Sequence, residues 1–101
     1  MRVRKDADLV WEPYDPTWLS ELARVQARET PWLADALGQC TRHARESRAY
    51  IYFVNPVAPN QPGSEWQFEG NVMLFDNREG ELVLDVLKGQ RVGGVEFLRY
   101  L

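Results

Sequence analysis

The chain has 101 residues, 45% of them hydrophobic and 27% charged, with a formal net charge of −3. That length holds one domain and one core without disulfide or metal staples, and the composition excludes a disordered chain. The acidic balance argues against a nucleic-acid partner, and no apolar run approaches the roughly 18 residues of a membrane-crossing helix.

The charge is unevenly placed. Residues 1–50 carry as many acids as bases, so the whole deficit lies in residues 51–101. A single cysteine, Cys40, can form no internal disulfide, which fits a reducing compartment. The charged opening, residues 1–6, leads into no apolar stretch of the signal-peptide kind and is expected to fray. Cytoplasmic residence is the expectation.

Leu9-Val10-Trp11 reads as a short edge strand or an extended lead-in. Asp15 then offers a capping carboxylate, and Pro16 suits a first helical position, where its missing N–H has no partner anyway. Trp18, Leu19, Leu22 and Val25 follow at helical spacing and predict a helix over 16–29 with that stripe inward. Thr30-Pro31 repeats the start signal and predicts a second helix over 31–39, with Trp32, Leu33, Ala36 and Leu37 inward. The polar, Arg-rich stretch from Cys40 to Ser47 reads as a third helical turn in preference to a loop.

The period then changes. Ala49 to Val54 is β-branched and aromatic and predicts a strand, which Asn55-Pro56 stops. Residues 55–65 hold Pro56, Pro59, Pro62 and Gly63 and form a long loop, of a kind often functional. Three more strands follow over 66–76, 81–88 and 92–100. A three-residue bend at Arg78-Glu79-Gly80 pairs Asn77 with Glu81, and therefore Leu74 with Leu84 and Val72 with Val86. A Gly89-Gln90 turn pairs Lys88 with Arg91 and Leu84 with Val95.

Both turns place Trp66, Phe68, Val72, Leu74, Leu82, Leu84, Val86, Val95 and Phe97 on one face, which the helices should cover. The opposite face carries Glu69, Asp85 and Glu96 among exposed hydrophobes, and the first strand adds either Tyr50 and Tyr52 or Ile51 and Phe53. Gly93-Gly94 interrupts the last strand and is read as a bulge that shields a sheet edge. The expected fold is α+β: two or three N-terminal helices on one face of a four-stranded antiparallel β-meander, with a short extra N-terminal strand as an option.

Candidate chemistry is sparse. Cys40 and His43 supply two metal ligands where zinc takes three or four, and as a thiol–base pair they lack an orienting group. We read them as a semi-buried Cys and a surface His. Arg42, Arg45 and Arg48 form a basic cluster that could meet phosphate, but a solvated helix face explains it better. No phosphate-loop, dinucleotide, serine-elbow or zinc-protease pattern is present.

The run Val10-Trp11-Glu12-Pro13-Tyr14-Asp15-Pro16-Thr17-Trp18 resembles the opening of the GrpB-like nucleotidyltransferase-related family, which begins with a similar Pro-Tyr-Asp-Pro-x-Trp run. The resemblance spans about nine residues of the 101, and the family's downstream Gly-Ser-Thr and Lys-Pro segments are absent, so it carries no function across.

The functional expectation is a non-enzymatic domain that binds another protein, toxin-like or basic, as a small immunity or inhibitor domain does. It would use the acidic, aromatic-dotted sheet face, with Tyr50, Tyr52, Glu69, Asp85 and Glu96 as binding residues and no cofactor or metal. The alternatives are a homodimer on that face, or a small-ligand protein or enzyme. The last would have a pocket between helices and sheet near the 55–65 loop, lined by Tyr52 and Trp66.

Overall fold

Helix α1 (Thr17–Gln26) starts where Asp15 and Pro16 end an extended lead-in. The Asp15 carboxylate accepts hydrogen bonds from the Thr17 N–H at 3.0 Å and the Thr17 hydroxyl at 2.7 Å. These bonds favour the ionised form and hold its pKa below the usual carboxylate range. Helix α2 (Trp32–Gly38) follows Pro31. The computed structural model describes residues 9–101, so the charged opening expected to fray lies outside the described residues.

α1 ends three residues earlier than its periodicity predicts, and Val25, expected inward, is 64% exposed. The most deeply buried residues here are Leu19, Ser20, Ala23 and Ala27. Small residues let the two helices approach closely, and the Ser20 hydroxyl donates to the Ala34 carbonyl at 2.7 Å. Trp18 and Leu22 of the expected stripe also pack, partly buried, against this core, so of that stripe Val25 alone turns outward.

Among the described residues six strands form one antiparallel sheet in the order β1-β2-β3-β6-β5-β4. They are β1 (Trp11–Pro13), β2 (Arg42–Ser47), β3 (Tyr50–Tyr52), β4 (Phe68–Asp76), β5 (Gly80–Leu87) and β6 (Arg91–Phe97), followed by a 3₁₀ turn at Leu98–Tyr100. The α+β class holds. Several details of the expected fold do not.

First, the segment read as a third helix is strand β2. It is held from both sides, with Ala44 paired to Trp11 of β1 and to Tyr52 of β3. Two flanking ladders and full burial of Ala44 outweigh the weak helical preference of so short a stretch. Second, the sheet is not a meander. The chain leaves β3, crosses to the far edge as β4 and returns through β5, so β6 lies between β3 and β5. The Gly93 bulge is present, opposite Asp85 and Val86, but in the middle of the sheet and not at an edge.

Third, the turns shift the pairing. The Asp76 carboxylate accepts from the N–H groups of Arg78 at 2.9 Å and Glu79 at 2.8 Å, so the loop is Asn77-Arg78-Glu79 and Asp76 pairs with Gly80, whose φ is +78°. Leu74 consequently faces Leu82, and Val72 faces Leu84. This differs from the expected pairing by two residues, which preserves the face of every side chain. In the second hairpin Leu84 pairs with Val95 as expected, but Leu87 takes Arg91 in place of Lys88. The turn widens to Lys88-Gly89-Gln90, with φ positive at Gly89 and Gln90, and the Gly93 bulge absorbs the slip.

A further bulge between Phe68 and Gly70 moves Trp66 and Phe68 away from the helices, against the sequence reading. The sheet thus has a core on each side. Helices cover Ile51, Leu74, Leu82, Leu84, Val92, Val95 and Phe97. On the other side Leu9, Ala44, Tyr50, Tyr52, Trp66 and Leu87 cluster. The residue 53–67 connection folds onto this outer face and bonds to itself, with Asn60 N–H to the Trp66 carbonyl at 2.7 Å and the Ser64 hydroxyl to the Val57 carbonyl at 2.7 Å. Among the described residues no helix is long and apolar enough to cross a membrane.

A Cβ on Gly94 would lie 2.5 Å from the Ile51 carbonyl oxygen and 2.5 Å from the Tyr50 hydroxyl, whereas one on Gly70 meets nothing within 4 Å. Urea unfolding should show Gly94→Ala destabilised by roughly 1–3 kcal/mol, the cost of overpacking a rigid site. Gly70→Ala should stay within about 1 kcal/mol of wild type. Equal midpoints for Gly94→Ala and wild type would refute the close β3–β6 approach.

Candidate functional site

Alternation along β3 decides which aromatics face outward. Ile51 enters the helix-side core, and Tyr50 and Tyr52 enter the outer cluster. Their rings meet at 4.8 Å, and Tyr52 meets Trp66 edge-on at 5.8 Å. Trp66 in turn sits over Gly93, where a Cβ would come within 2.7 Å of its ring.

Gly94 pairs with Tyr52 on one side and with Asp85 on the other. With no side chain at Gly94, the Tyr50 phenol crosses β6 and donates to Oδ2 of Asp85 on β5. The second Asp85 oxygen accepts from Nδ2 of Asn71 on β4 at 2.7 Å. Tyr50, Asp85 and Asn71 thereby link three strands across the outer face. Beside them opens a cleft of about 370 Å³, lined by Tyr50, Tyr52, Pro56, Pro59, Asn60, Trp66, Phe68 and Asp85.

Three of the five residues expected to bind, Tyr50, Tyr52 and Asp85, therefore meet in one place. Glu69 is exposed in the β4 bulge, and Glu96 is half-buried opposite Tyr50 and Val83; neither lines the cleft. Phe68, Asn60, Pro56 and Pro59 complete the wall and were not among the expected residues. The proline-rich loop and the paired glycines were the available signals. A cleft near that loop with Tyr52 and Trp66 in its wall is present, but on the face opposite the helices and not between helices and sheet, because the Phe68–Gly70 bulge turns this stretch outward.

The outer face is not a bare sheet, since the 53–67 connection covers one end. The other end, along edge strand β4, exposes Phe68 by 41%, Met73 by 57% and Phe75 by 53%. At Phe75 the edge backbone is occupied. The Gln26 side-chain amide donates to its carbonyl at 2.6 Å and accepts its N–H at 2.8 Å, standing in for a neighbouring strand.

The Arg-rich segment does not form one helix face. Arg42 lies over the Trp11 ring at 5.7 Å, and Arg45 donates back to the Ser47 and Arg48 carbonyls. The His43 ring rests against Tyr14 at 4.9 Å, with its buried Nδ1 lacking a hydrogen-bond partner. The Cys40 thiol is packed at the end of α2, 3.4 Å from the Ala36 carbonyl, and burial pushes its pKa up to about 12. At neutral pH so little thiolate exists that nucleophilic chemistry there is disfavoured. Burial also raises the Tyr14 phenol, and the hydrogen bond from Trp18 Nε1 at 3.0 Å offsets part of the rise.

Removing the phenol from Tyr50 strands the Asp85 carboxylate. Tyr50→Phe should lose about 1–3 kcal/mol in chemical denaturation, the range for a hydrogen bond to a charged group. A double-mutant cycle with Asp85→Asn should show coupling between the two positions, and strictly additive losses would argue against a special Tyr50–Asp85 link.

Cys40 resists ionisation when folded, so the neutral thiol favours the native state. Its contribution is complete below the unfolded pKa near 9 and is lost as pH rises towards 12. Stability should fall over that window by at most about 1.4 kcal/mol per pH unit from this group. Cys40→Ala should flatten that alkaline limb; an unchanged slope would show that other groups carry it.

No family model, curated protein or solved structure matches this chain.

Proposed function

We propose that this chain is a non-enzymatic protein-binding domain, of the bacterial immunity or inhibitor type, acting in the cytoplasm and engaging a basic protein partner through the outer sheet face. The observation that carries the reading is the exposure of Phe68, Met73 and Phe75 along one edge strand. Apolar side chains gathered at one site of a small domain are anchors for a partner. Glu69 follows Phe68 on β4, Glu81 pairs with Phe75 from β5, and Glu96 lies two strands in beyond Val83; together they supply steering for a cationic surface. The lone cysteine fits a reducing compartment.

The chemistry of the face favours binding over catalysis. Both Asp85 oxygens already accept hydrogen bonds, from Tyr50 and Asn71, and the half-buried Cys40 thiol is held in its neutral form. A small ligand held in the 370 Å³ cleft is the second reading, favoured by the aromatic and proline walls beneath the 53–67 connection. Self-association on the same face is a third, which sedimentation at two concentrations would separate.

The test is a parallel capture from native lysate with wild type and a Met73→Ser/Phe75→Ser variant. Wild type should retain a basic protein that the variant loses by tenfold or more, about 1.4 kcal/mol in affinity. The capture should weaken at raised salt. Equal retention by both proteins, or capture indifferent to salt, would remove the outer face from the interface.

A further inference from the structure

A second concavity, about 390 Å³, opens on the helix side of the sheet, where three separate parts of the chain meet. Arg45 and Arg48 reach it from the β2–β3 hairpin, Arg78 from the β4–β5 hairpin, and Tyr100 from the final 3₁₀ turn. Tyr14 and Trp18 form its aromatic wall.

Arg45 and Arg48 of the lining, and Arg99 next to Tyr100, are held by rings and backbone carbonyls. The guanidinium carbons of Arg48 and Arg99 lie 4.7 and 4.9 Å from the Tyr100 ring centroid. A guanidinium laid on a ring keeps its in-plane N–H groups for an acceptor elsewhere. Arg45 donates one nitrogen to the Ser47 and Arg48 carbonyls at 3.0 and 3.4 Å, and Arg99 donates to the Arg78 carbonyl. These bonds fix the cations and leave their charge intact.

Two carboxylates share the concavity. Asp76 accepts from the Arg78 and Glu79 N–H groups through one oxygen, which fixes it in its turn and leaves its charge in place. Glu79 is the other acid in the lining, so Arg45, Arg48 and Arg78 outnumber the two carboxylates there. In a chain of net charge −3, this is a local excess of positive charge beside aromatic rings.

We propose that this concavity binds a phosphomonoester carried on a planar ring, of mononucleotide size. Fork-shaped guanidinium donors match phosphate oxygens in pairs. The volume admits a phosphate with one ring system, and the Tyr14–Trp18 wall offers that ring an apolar surface. Sequence separation conceals the site, because Arg45, Arg78 and Tyr100 meet only when both hairpins and the final turn are in place.

The test is calorimetric and NMR titration of the full chain with adenosine monophosphate, ribose 5-phosphate, adenosine and sulfate. Both phosphomonoesters should bind, adenosine monophosphate more tightly, with shifts centred on residues 45–48, 76–79 and 98–100. Arg78→Gln, on an exposed loop, should weaken binding roughly tenfold or more, as loss of a charge-assisted hydrogen bond does. Arg48→Gln should do the same, while Arg28→Gln, an equal charge change in the turn after α1, should leave affinity unchanged. Glu79→Gln should tighten binding. Equal affinity for the two phosphomonoesters would overturn the role of the ring. Sulfate binding as tightly as either, an equal loss in Arg28→Gln, or no shift with any phosphate would overturn the site.

Discussion

The missing side chain at Gly94 is the constraint on which the outer half of this molecule depends. A Cβ there would collide with the Ile51 carbonyl and the Tyr50 hydroxyl. Its absence lets β3 lie against β6 and lets Tyr50 pass over that strand to Asp85. Gly93 does the parallel service for Trp66. Glycine in a strand interior normally weakens a sheet. Here the loss is offset by aromatic burial, which contributes on the order of 2–3 kcal/mol for each large side chain removed from water.

That arrangement gives the sheet two unequal sides. The helix side is a conventional apolar core, with Leu19, Leu33, Leu37, Leu82, Leu84 and Val95 fully buried. The outer side is smaller and more polar. It is closed by the self-bonded 53–67 connection at one end and left open along β4 at the other. Rigidity and exposure are thus separated along one face, with the hydrogen-bonded Tyr50–Asp85–Asn71 link between them. Gln26 occupies the edge backbone at Phe75, which limits strand addition there while leaving the Met73 and Phe75 side chains exposed.

The site was partly legible. Tyr50, Tyr52 and Asp85 follow from strand alternation, which survives a two-residue change of register. Trp66 and Phe68 were placed on the wrong face, because a single extra residue at the Phe68–Gly70 bulge reverses alternation and leaves no mark in composition. Strand β2 was missed for a related reason. Arg42 to Ser47 has no apolar period, and it is a strand because β1 and β3 flank it. The arginines of that segment then belong to different surroundings, Arg42 with Trp11 and Arg45 with Tyr14 and Arg78.

What residue order alone determined was local. It set the α+β class, the two helix starts at Pro16 and Pro31, the glycine-bearing turns and the helix-side stripe of β5. Each depends on dihedral preference or on the periodicity of neighbours a few positions apart. Tertiary structure decided the rest: β2 as a strand in place of a third helix, β6 between β3 and β5, and the meeting of Arg45, Arg78 and Tyr100. Those outcomes turn on contacts between distant segments, where close packing and hydrogen-bond completion choose among alignments that local preference leaves nearly equal in energy.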